Sequence, residues 1–245
     1  MDLNSKWYHL ILEIANKVAK IPGVKSLLKP IYYPIKKRIE QSHRKKLMQN
    51  GLKVLQRFDK CLTENGIEYT LAFGTLLGAV REKGFIKHDL DVDVCVWGDQ
   101  YTPLIPEILE AEGFKPIHTF IVDDGGLGRE ETYQCDGVAI DIFYIQEDGG
   151  KYPYYCGYGT IGNTPTFRQS MREYGSVRAR KMDIPMTRER VKTPFEGIDL
   201  YIPSNAHEIL QFIYGEDYMT PNASWEMDPH REYNWMDKPV YYNEI

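Results

Sequence analysis

The sequence predicts an α/β fold of the α+β kind, in which a mixed sheet is flanked by helices and preceded by an N-terminal helical extension. Three observations support this prediction. The 245 residues are 42% hydrophobic and 27% charged, which is enough to bury a full core. Residues 91–97 alternate with the period of a strand, and apolar residues in 39–65 recur with the period of a helix. We therefore divide the chain into a basic amphipathic helical extension, residues 1–46, and a core domain, residues 47–245.

The extension begins with a predicted helix over residues 5–20. Its apolar side chains recur at helical spacing with lysines on the rest of the surface: Trp7, Leu10, Ile11, Ile14 and Val18. Pro22, Pro30 and Pro34 then interrupt the pattern. A basic amphipathic helix can bind an anionic bilayer, so the extension indicates peripheral membrane contact. The alternative that its apolar stripe packs on the core or on a second subunit is equally open.

Charge is distributed unevenly along the chain, whose formal net charge is -5. Residues 1–60 contain 14 Lys and Arg against 4 Asp and Glu, and the remainder contains 16 against 31. The net charge argues against nucleic acid as a partner, whereas the basic N-terminal part suggests an anionic surface.

The four cysteines match no redox or zinc motif and are expected to be reduced, mostly buried thiols. Without a signal-peptide pattern, we expect a cytoplasmic address, at the inner membrane face if the extension binds there. Nothing in the sequence indicates the oligomeric state.

The first part of the core domain is predicted in most detail. A helix over Ile39–Asn65 is capped by Gly66, and a strand over Ile67–Phe73 follows. The dipeptide Gly74–Thr75 is predicted to turn the chain into a short helix. The later predicted elements are a helix over Thr102–Glu112, extended segments over Phe114–Val122 and Glu131–Cys135, a hairpin turn at Asp136–Gly137, a strand over Val138–Ile145, and a helix from a capping-box-like Asn205 and Glu208 to Tyr214–Gly215.

Two carboxylates on one strand indicate a site. Residues i and i+2 of a strand project to the same side, so Asp91 and Asp93 are expected to face a cleft while the valines between them face the core. Carboxylate oxygens are ligands that Mg²⁺ or Mn²⁺ prefers, and such ions assist displacement at phosphorus. A third acid completes the set, and Asp141 in an otherwise apolar strand is the natural candidate. Its alternative role is that of a buried carboxylate bonded to backbone amides.

Other residues near this strand are predicted to bind phosphate. Gly74 lets a phosphate approach the backbone, and Thr75 can donate a hydrogen bond to its oxygens. Arg81 is either a cation directed at the phosphate or a structural ion-pair residue. Asp89 is predicted to support the loop or an adjacent cation, and its alternative role is to cap a turn. A basic run further along the chain forms either an acceptor or diphosphate site or a solvated face: Arg168, Arg172, Arg178, Arg180, Lys181, Arg188 and Arg190.

The segment FGTLLGAVREKGFIKHDLDVDV at residues 73–94 closely resembles the signature of the LicD family of phosphotransferases, to which fukutin and fukutin-related protein are also similar. The chain departs from the family pattern at Lys87, His88 and Leu90. The segment at 139–143 resembles the strand that carries the family's third carboxylate, and 202–221 resembles its closing segment.

This resemblance implies a nucleotidyltransferase-type fold with Asp91, Asp93 and Asp141 as catalytic metal ligands. It implies transfer of a substituted phosphate, such as phosphocholine or a polyol phosphate, from a CDP-linked donor to a glycan of the cell surface (lipopolysaccharide, capsule or teichoic acid). Two other functions remain open. One is nucleotidyl transfer, which moves an NMP from an NTP, and the other is a catalytically silent module that binds glycan or membrane.

Overall fold

The structure, a computed structural model, describes the backbone of residues 24–222 and 235–245 and the side chains of 34–222 and 235–245. The helix predicted over residues 5–20 lies outside the described residues. The helices are α1 Val24–Glu64, α2 Phe73–Arg81, α3 Leu104–Ala111, α4 Phe167–Tyr174 and α5 Ala206–Tyr214. The strands are β1 Tyr69–Leu71, β2 Val92–Trp97, β3 Lys115–Val122, β4 Gly128–Cys135, β5 Val138–Ile145, β6 Tyr154–Gly159, β7 Arg178–Asp183, β8 Arg190–Phe195, β9 Ile198–Pro203 and β10 Val240–Glu244.

A six-stranded sheet in the order β1-β2-β5-β4-β3-β10 organises the described chain, and it confirms the predicted mixed sheet. β2 and β5 are parallel, and every other neighbouring pair in this sheet is antiparallel. Strands β6–β7 and β8–β9 form two separate antiparallel pairs. Because β2 and β5 lie inside the sheet, residues on them are held by hydrogen bonds from both sides.

The register of the sheet is set by a tight turn that the sequence predicts. Asp136 and Gly137 adopt φ values of 49° and 79°, which suit a two-residue hairpin loop. Cys135 therefore pairs with Val138 and Thr132 with Asp141. β5 spans the predicted Val138–Ile145, so this strand and its turn are confirmed.

Helix α1 begins fifteen residues before the predicted start at Ile39 and runs through Pro30 and Pro34. The prediction that these prolines interrupt the helix is wrong. Each proline removes one backbone hydrogen bond, but helix formation is cooperative, so the long run that follows Pro34 can carry the helix across these local defects. Its C-terminal end agrees with the prediction: Gly66 has φ 71° and the Ile67 amide donates to the Leu62 carbonyl over 2.9 Å. The predicted domain boundary after residue 46 falls inside α1 and stays a prediction.

Two smaller predictions are corrected. Helix α2 starts at Phe73, so Gly74 and Thr75 lie in its first turn and do not form a turn ahead of it. Asn205 precedes α5 but makes no capping bond to the helix backbone. Its amide instead donates to Glu208 Oε2 over 3.0 Å, and its carbonyl oxygen accepts from Thr187, because the neighbouring 185–189 segment offers competing partners.

The loop between α2 and β2 is held by close packing. Phe85 packs edge-on against Phe195 with 4.8 Å between ring centroids, and its ring lies against Gly51 of α1, where a Cβ would come within 2.9 Å. A Cβ on Gly78 would come even closer to its neighbour, within 2.4 Å of the Gly84 carbonyl oxygen. These contacts fix the loop to α1, α2 and β8, and therefore fix the start of β2.

All four cysteines are buried and free, as predicted. In the part of the chain that the structure describes, no helix has the length and apolar character needed to cross a membrane.

Candidate active site

The central feature of the site is a pair of aspartates on adjacent parallel strands. The register of β2 and β5 sets Asp93 directly beside Asp141. Val92, Val94 and Val96 are fully buried on the opposite side of β2, as the alternation predicts. The carboxylates therefore share one face of the sheet because both strands keep their side-chain period.

Asp91 and Asp89 extend this pair at the N-terminal end of β2. The negative charge of Asp89 raises the pKa of Asp93, and the negative charge of Asp91 raises the pKa of both Asp93 and Asp141. His43 of α1 partly offsets the rise in the pKa of Asp91, which places the His43 side chain beside that end of the cluster. The structure thus brings together all four aspartates that the sequence singles out.

Burial raises the pKa of each of these carboxyls, and repulsion from neighbouring acids adds to the rise for Asp89, Asp93 and Asp141. Desolvation is the main cause for all of them, and it raises the pKa of Asp89 to about 7 and that of Asp141 to about 7. The pKa of Asp93 lies well above its usual range, because this carboxyl is buried and faces three other acids. A cluster of this kind favours either shared protons or a bound cation.

The donor set suits a hard divalent cation. Asp89 Oδ2 is buried and has no hydrogen-bond partner among the described residues, so no hydrogen bond offsets the free-energy cost of burying this oxygen. In the described parts of the chain, no group of three or more His, Cys, Asp or Glu side chains has the geometry to hold a metal ion as it stands. Holding a cation therefore requires that the carboxylates turn toward one another.

Gly74 and Thr75 contact the carboxylates from the first turn of α2. A backbone hydrogen bond from Gly74 to Asp93 lowers the pKa of that carboxyl, opposing the effect of burial. A Cβ on Gly74 would lie 3.2 Å from Asp89 Oδ1 and 3.5 Å from Asp93 Oδ2. Thr75 is 1% exposed, and its Oγ1 accepts a hydrogen bond from the Asp93 amide over 2.9 Å. Both residues therefore position Asp93, and their contact with phosphate stays a prediction.

A polar relay that the sequence did not indicate runs across the sheet from Asp141. The Thr132 hydroxyl donates to Asp141 Oδ1 over 2.6 Å, and it lies 3.0 Å from His118 Nε2. Because the single hydroxyl proton goes to Asp141, Nε2 of His118 is the donor in the second bond. The β4–β5 hairpin sets Thr132 beside Asp141, and the pairing of β3 with β4 sets His118 beside Thr132.

An open cleft of about 570 Å³ lies next to Asp89. Arg81 lines it with an 11% exposed side chain that pairs with Glu82 over 2.9 Å. Both the phosphate-binding and the structural interpretation of Arg81 therefore remain compatible with its position. Leu77, Ile86, Tyr214 and Tyr218 supply apolar walls, and Arg44 and His88 add positive or titratable groups.

The basic run does not form a single site. Arg188 stacks on Trp97 and pairs with Asp99 and Glu147, whereas Arg168 pairs with Glu244 at the other end of the sheet. Four of the remaining five members also diverge: Lys181 pairs with Asp148, Arg190 pairs with Glu68, and Arg178 and Arg180 stack on Trp235. Most of these cations neutralise local acids, so they support separate structural contacts.

Together, a mixed sheet with an acid pair on a central strand and a helix packed over the pair define a nucleotidyltransferase-type domain. Residues 66–205 match the family model described as LicD/FKTN/FKRP, nucleotidyltransferase domain. The chain belongs to this family. The match covers β1 to β9 and contains every predicted site residue.

Curated relatives agree with this assignment. The chain is 27% identical over 175 residues to ribitol-5-phosphate transferase FKTN of Mus musculus, a match that covers 71% of this chain and 34% of that protein. It is 44% identical over 50 residues to lipopolysaccharide cholinephosphotransferase LicD of Haemophilus influenzae, covering 20% of this chain and 19% of that protein. An uncharacterized protein of Rickettsia prowazekii is 29% identical over 120 residues, covering 45% and 41%. The chain therefore matches less than half the length of each of these relatives.

Proposed function

We propose that the chain is a metal-dependent phosphotransferase that moves a substituted phosphate, phosphocholine or a polyol phosphate, from a CDP-linked donor to a cell-surface glycan. The observation that carries the proposal is the register that sets Asp93 beside Asp141, with Asp91 and Asp89 in electrostatic contact. The family match and two relatives whose names state transfer of ribitol phosphate or phosphocholine support the same reaction class.

Mg²⁺ or Mn²⁺ is the cofactor that this proposal requires. Asp91, Asp93 and Asp141 would hold it, and Asp89 would supply a supporting oxygen. A bound divalent cation contributes positive charge that offsets the charge of the phosphates and lowers the pKa of a coordinated hydroxyl. The buried, mutually repelling carboxylates and the uncompensated Asp89 Oδ2 fit such an ion.

The chain's own residues then have separate tasks. A glycan hydroxyl attacks the phosphorus next to the donor's alcohol, the new oxygen–phosphorus bond forms, and the bond to CMP breaks. Asp141, or a neighbouring carboxylate, accepts the hydroxyl proton. Gly74 and Thr75 hold Asp93 in place, and Arg81 contributes positive charge at the cleft wall.

A product assay tests the proposal. The chain would be incubated with Mg²⁺ or Mn²⁺ and a panel of CDP-choline, CDP-ethanolamine, CDP-glycerol, CDP-ribitol and free NTPs, with and without mixed glycan acceptors. We expect CMP from one CDP donor. Pyrophosphate from an NTP would instead assign nucleotidyl transfer, and no product together with no nucleotide-dependent thermal shift would assign a silent binding module.

Substitution of one carboxylate of the cluster tests the proposed metal site, and substitution of an exposed acid provides the matched control. We expect Asp91→Ala to lower CMP release by roughly a thousandfold or more, because a lost metal ligand removes several kcal/mol of transition-state stabilisation. Asp99→Ala removes an exposed acid two residues beyond β2 and is expected to leave turnover unchanged. Full turnover by Asp91→Ala would refute the proposal.

The proposed site of action is the cytoplasmic face of the membrane, where a basic N-terminal region could meet anionic lipid. Peripheral contact through residues 1–46 belongs to this proposal. Vesicle flotation with and without anionic lipid, comparing the full chain with a chain that lacks residues 1–33, tests it.

A further inference from the structure

Arg44 of helix α1 stands out, within the part of the chain that the structure describes, as a cation without a partner beside the carboxylate cluster. It lines the 570 Å³ cleft together with Arg81, His88 and Asp89. Its Nε atom is buried, and among the described residues neither a hydrogen bond donated by Nε nor an ion pair to the guanidinium is found. A half-buried guanidinium in this situation loses hydration without compensation, which points to a ligand that the cleft is built to bind.

Arg81, the other guanidinium group that lines this cleft, is already paired, which sets Arg44 apart. Arg81 donates from both Nε and Nη2 to Glu82 Oε1, over 3.2 and 2.9 Å. Lys36 pairs with Glu40 one helical turn away on α1. Arg44 alone, among the described cations that line this cleft with a guanidinium, keeps its full hydrogen-bonding capacity for a bound molecule.

The cleft has the size and composition of a ligand site. Its volume of about 570 Å³ falls within the range of roughly 300–1,000 Å³ typical of sites for small molecules. Leu77, Ile86 and Tyr214 give it apolar walls, and Asp89 connects it to the carboxylate cluster. A ligand in the cleft can therefore reach Arg44 at one side and the aspartates at the other.

We propose that Arg44 binds a phosphate group of an organic diphosphate in this cleft, so that helix α1 contributes directly to the donor site. Planar guanidinium groups match phosphate oxygens with two parallel hydrogen bonds, and a partly buried position strengthens such bonds. His43, the preceding residue, acts electrostatically on Asp91. One turn of α1 thus connects the phosphate site and the carboxylate cluster. The proposal rests on the proposed phosphotransferase function, but its test does not require turnover.

The test measures binding of inorganic pyrophosphate to the full chain in Mg²⁺ buffer by calorimetry. We expect Arg44→Gln to weaken binding about tenfold or more, since charge-assisted phosphate bonds are strong and each tenfold corresponds to about 1.4 kcal/mol. Arg44→Lys should recover part of the affinity, because it keeps the charge but loses the planar fork. Lys45→Gln, an equal loss of charge at the exposed next residue, should stay within about twofold of the unaltered chain.

A second measurement uses the unaltered chain, so that it is independent of variant folding. Hydrogen exchange of the peptide around residues 40–48 should slow when pyrophosphate saturates the chain. Equal affinity of Arg44→Gln and the unaltered chain, no pyrophosphate binding by the unaltered chain, or no added protection of this peptide would each overturn the proposal. Failure of the donor panel to yield CMP would concern the phosphotransferase function alone, because pyrophosphate binding is measured without a reaction.

Discussion

Asp141 depends on a neighbouring residue that belongs to no sequence motif. The Thr132 hydroxyl donates to its Oδ1, and His118 stands behind Thr132. This bond lowers the pKa of Asp141 against the rise caused by burial. Thr132 therefore orients the carboxylate and also favours its charged form.

Removing this hydroxyl tests its positioning role. We expect Thr132→Val to lower kcat for CMP release about tenfold, because a hydrogen bond to a charged group contributes roughly 1.5–3 kcal/mol. Thr132→Ser keeps the hydroxyl and should restore most of the activity. Steady-state kinetics of both variants would decide the matter, and a valine variant with unchanged kcat would show that Asp141 is held by other contacts.

Gly74 is required by the close approach of two carboxylates to α2. A Cβ there would lie 3.2 Å from Asp89 Oδ1, closer than ordinary van der Waals contact. We expect Gly74→Ala to raise the Mg²⁺ concentration for half-maximal activity about tenfold, since small displacements of catalytic groups are costly. Gly126→Ala is the control, because Gly126 has an ordinary φ of -69° and its Cβ would meet its nearest atom at 3.5 Å. Equal metal dependence of the two variants would contradict this account.

At the scale of elements, α2 and the loop after it behave as one packed unit. The Gly84 amide donates to the Gly78 carbonyl over 3.4 Å, and the Glu196 amide donates to the Lys83 carbonyl over 2.8 Å. Phe85 fills the space between α1 and Phe195. The glycines and the phenylalanine of this segment thus place the acids of β2 by packing, without touching the site.

Substitution of Gly78 separates this packing role from helix propensity. At an exposed position inside a helix, alanine is more favourable than glycine by about 1 kcal/mol of folding free energy. At Gly78, however, a Cβ would come within 2.4 Å of the Gly84 carbonyl oxygen, a backbone atom that cannot move alone. We expect Gly78→Ala to lower the free energy of unfolding by about 1–3 kcal/mol, as overpacking commonly does. Denaturant titration measures the change, and a gain in stability would show that the loop moves away freely.

Local patterns predicted the elements that carry the acids. The valine alternation of β2 and the Asp136–Gly137 turn before β5 are short-range signals, and the structure confirms both. Register between β2 and β5 is set by contacts between distant segments, so the pairing of Asp93 with Asp141 could not be predicted. The same holds for Arg44, because its position in the cleft depends on how α1 packs. The predicted start of α1 is too late because the prediction treats Pro30 and Pro34 each as the end of a helical pattern, whereas a helix forms cooperatively over many residues.

For the whole molecule, the acid cluster couples folding to pH and to metal. The pKa values of Asp89 and Asp141 rise to about 7 in the folded chain. The folded state therefore binds more protons than the unfolded state between about pH 4 and 7. The stabilisation by these groups is complete below their unfolded pKa and is lost as pH rises through 7.

A bound divalent cation should restore the stability that the folded chain loses as pH rises. We expect Mg²⁺ to raise the melting temperature of the chain more at pH 8 than at pH 5, because Asp89 and Asp141, with pKa values of about 7, are charged mainly at the higher pH. Asp93→Asn removes the central negative charge, so without metal it should be more stable at pH 8 than the unaltered chain by about 1–3 kcal/mol. Thermal unfolding with EDTA or Mg²⁺ at both pH values tests this. Identical curves with and without Mg²⁺ at pH 8 would exclude a metal site in the cluster.

The four buried cysteines have a practical consequence for studying this protein in solution. Burial raises the pKa of Cys61 to about 11 and that of Cys156 to about 12, so these thiols stay protonated at neutral pH and are shielded from reagents. A maleimide fluorophore should therefore attach selectively to one cysteine introduced on the surface. Lys45→Cys would place such a dye on α1 next to the cleft, where its emission could report substrate arrival in real time without prior removal of the natural thiols.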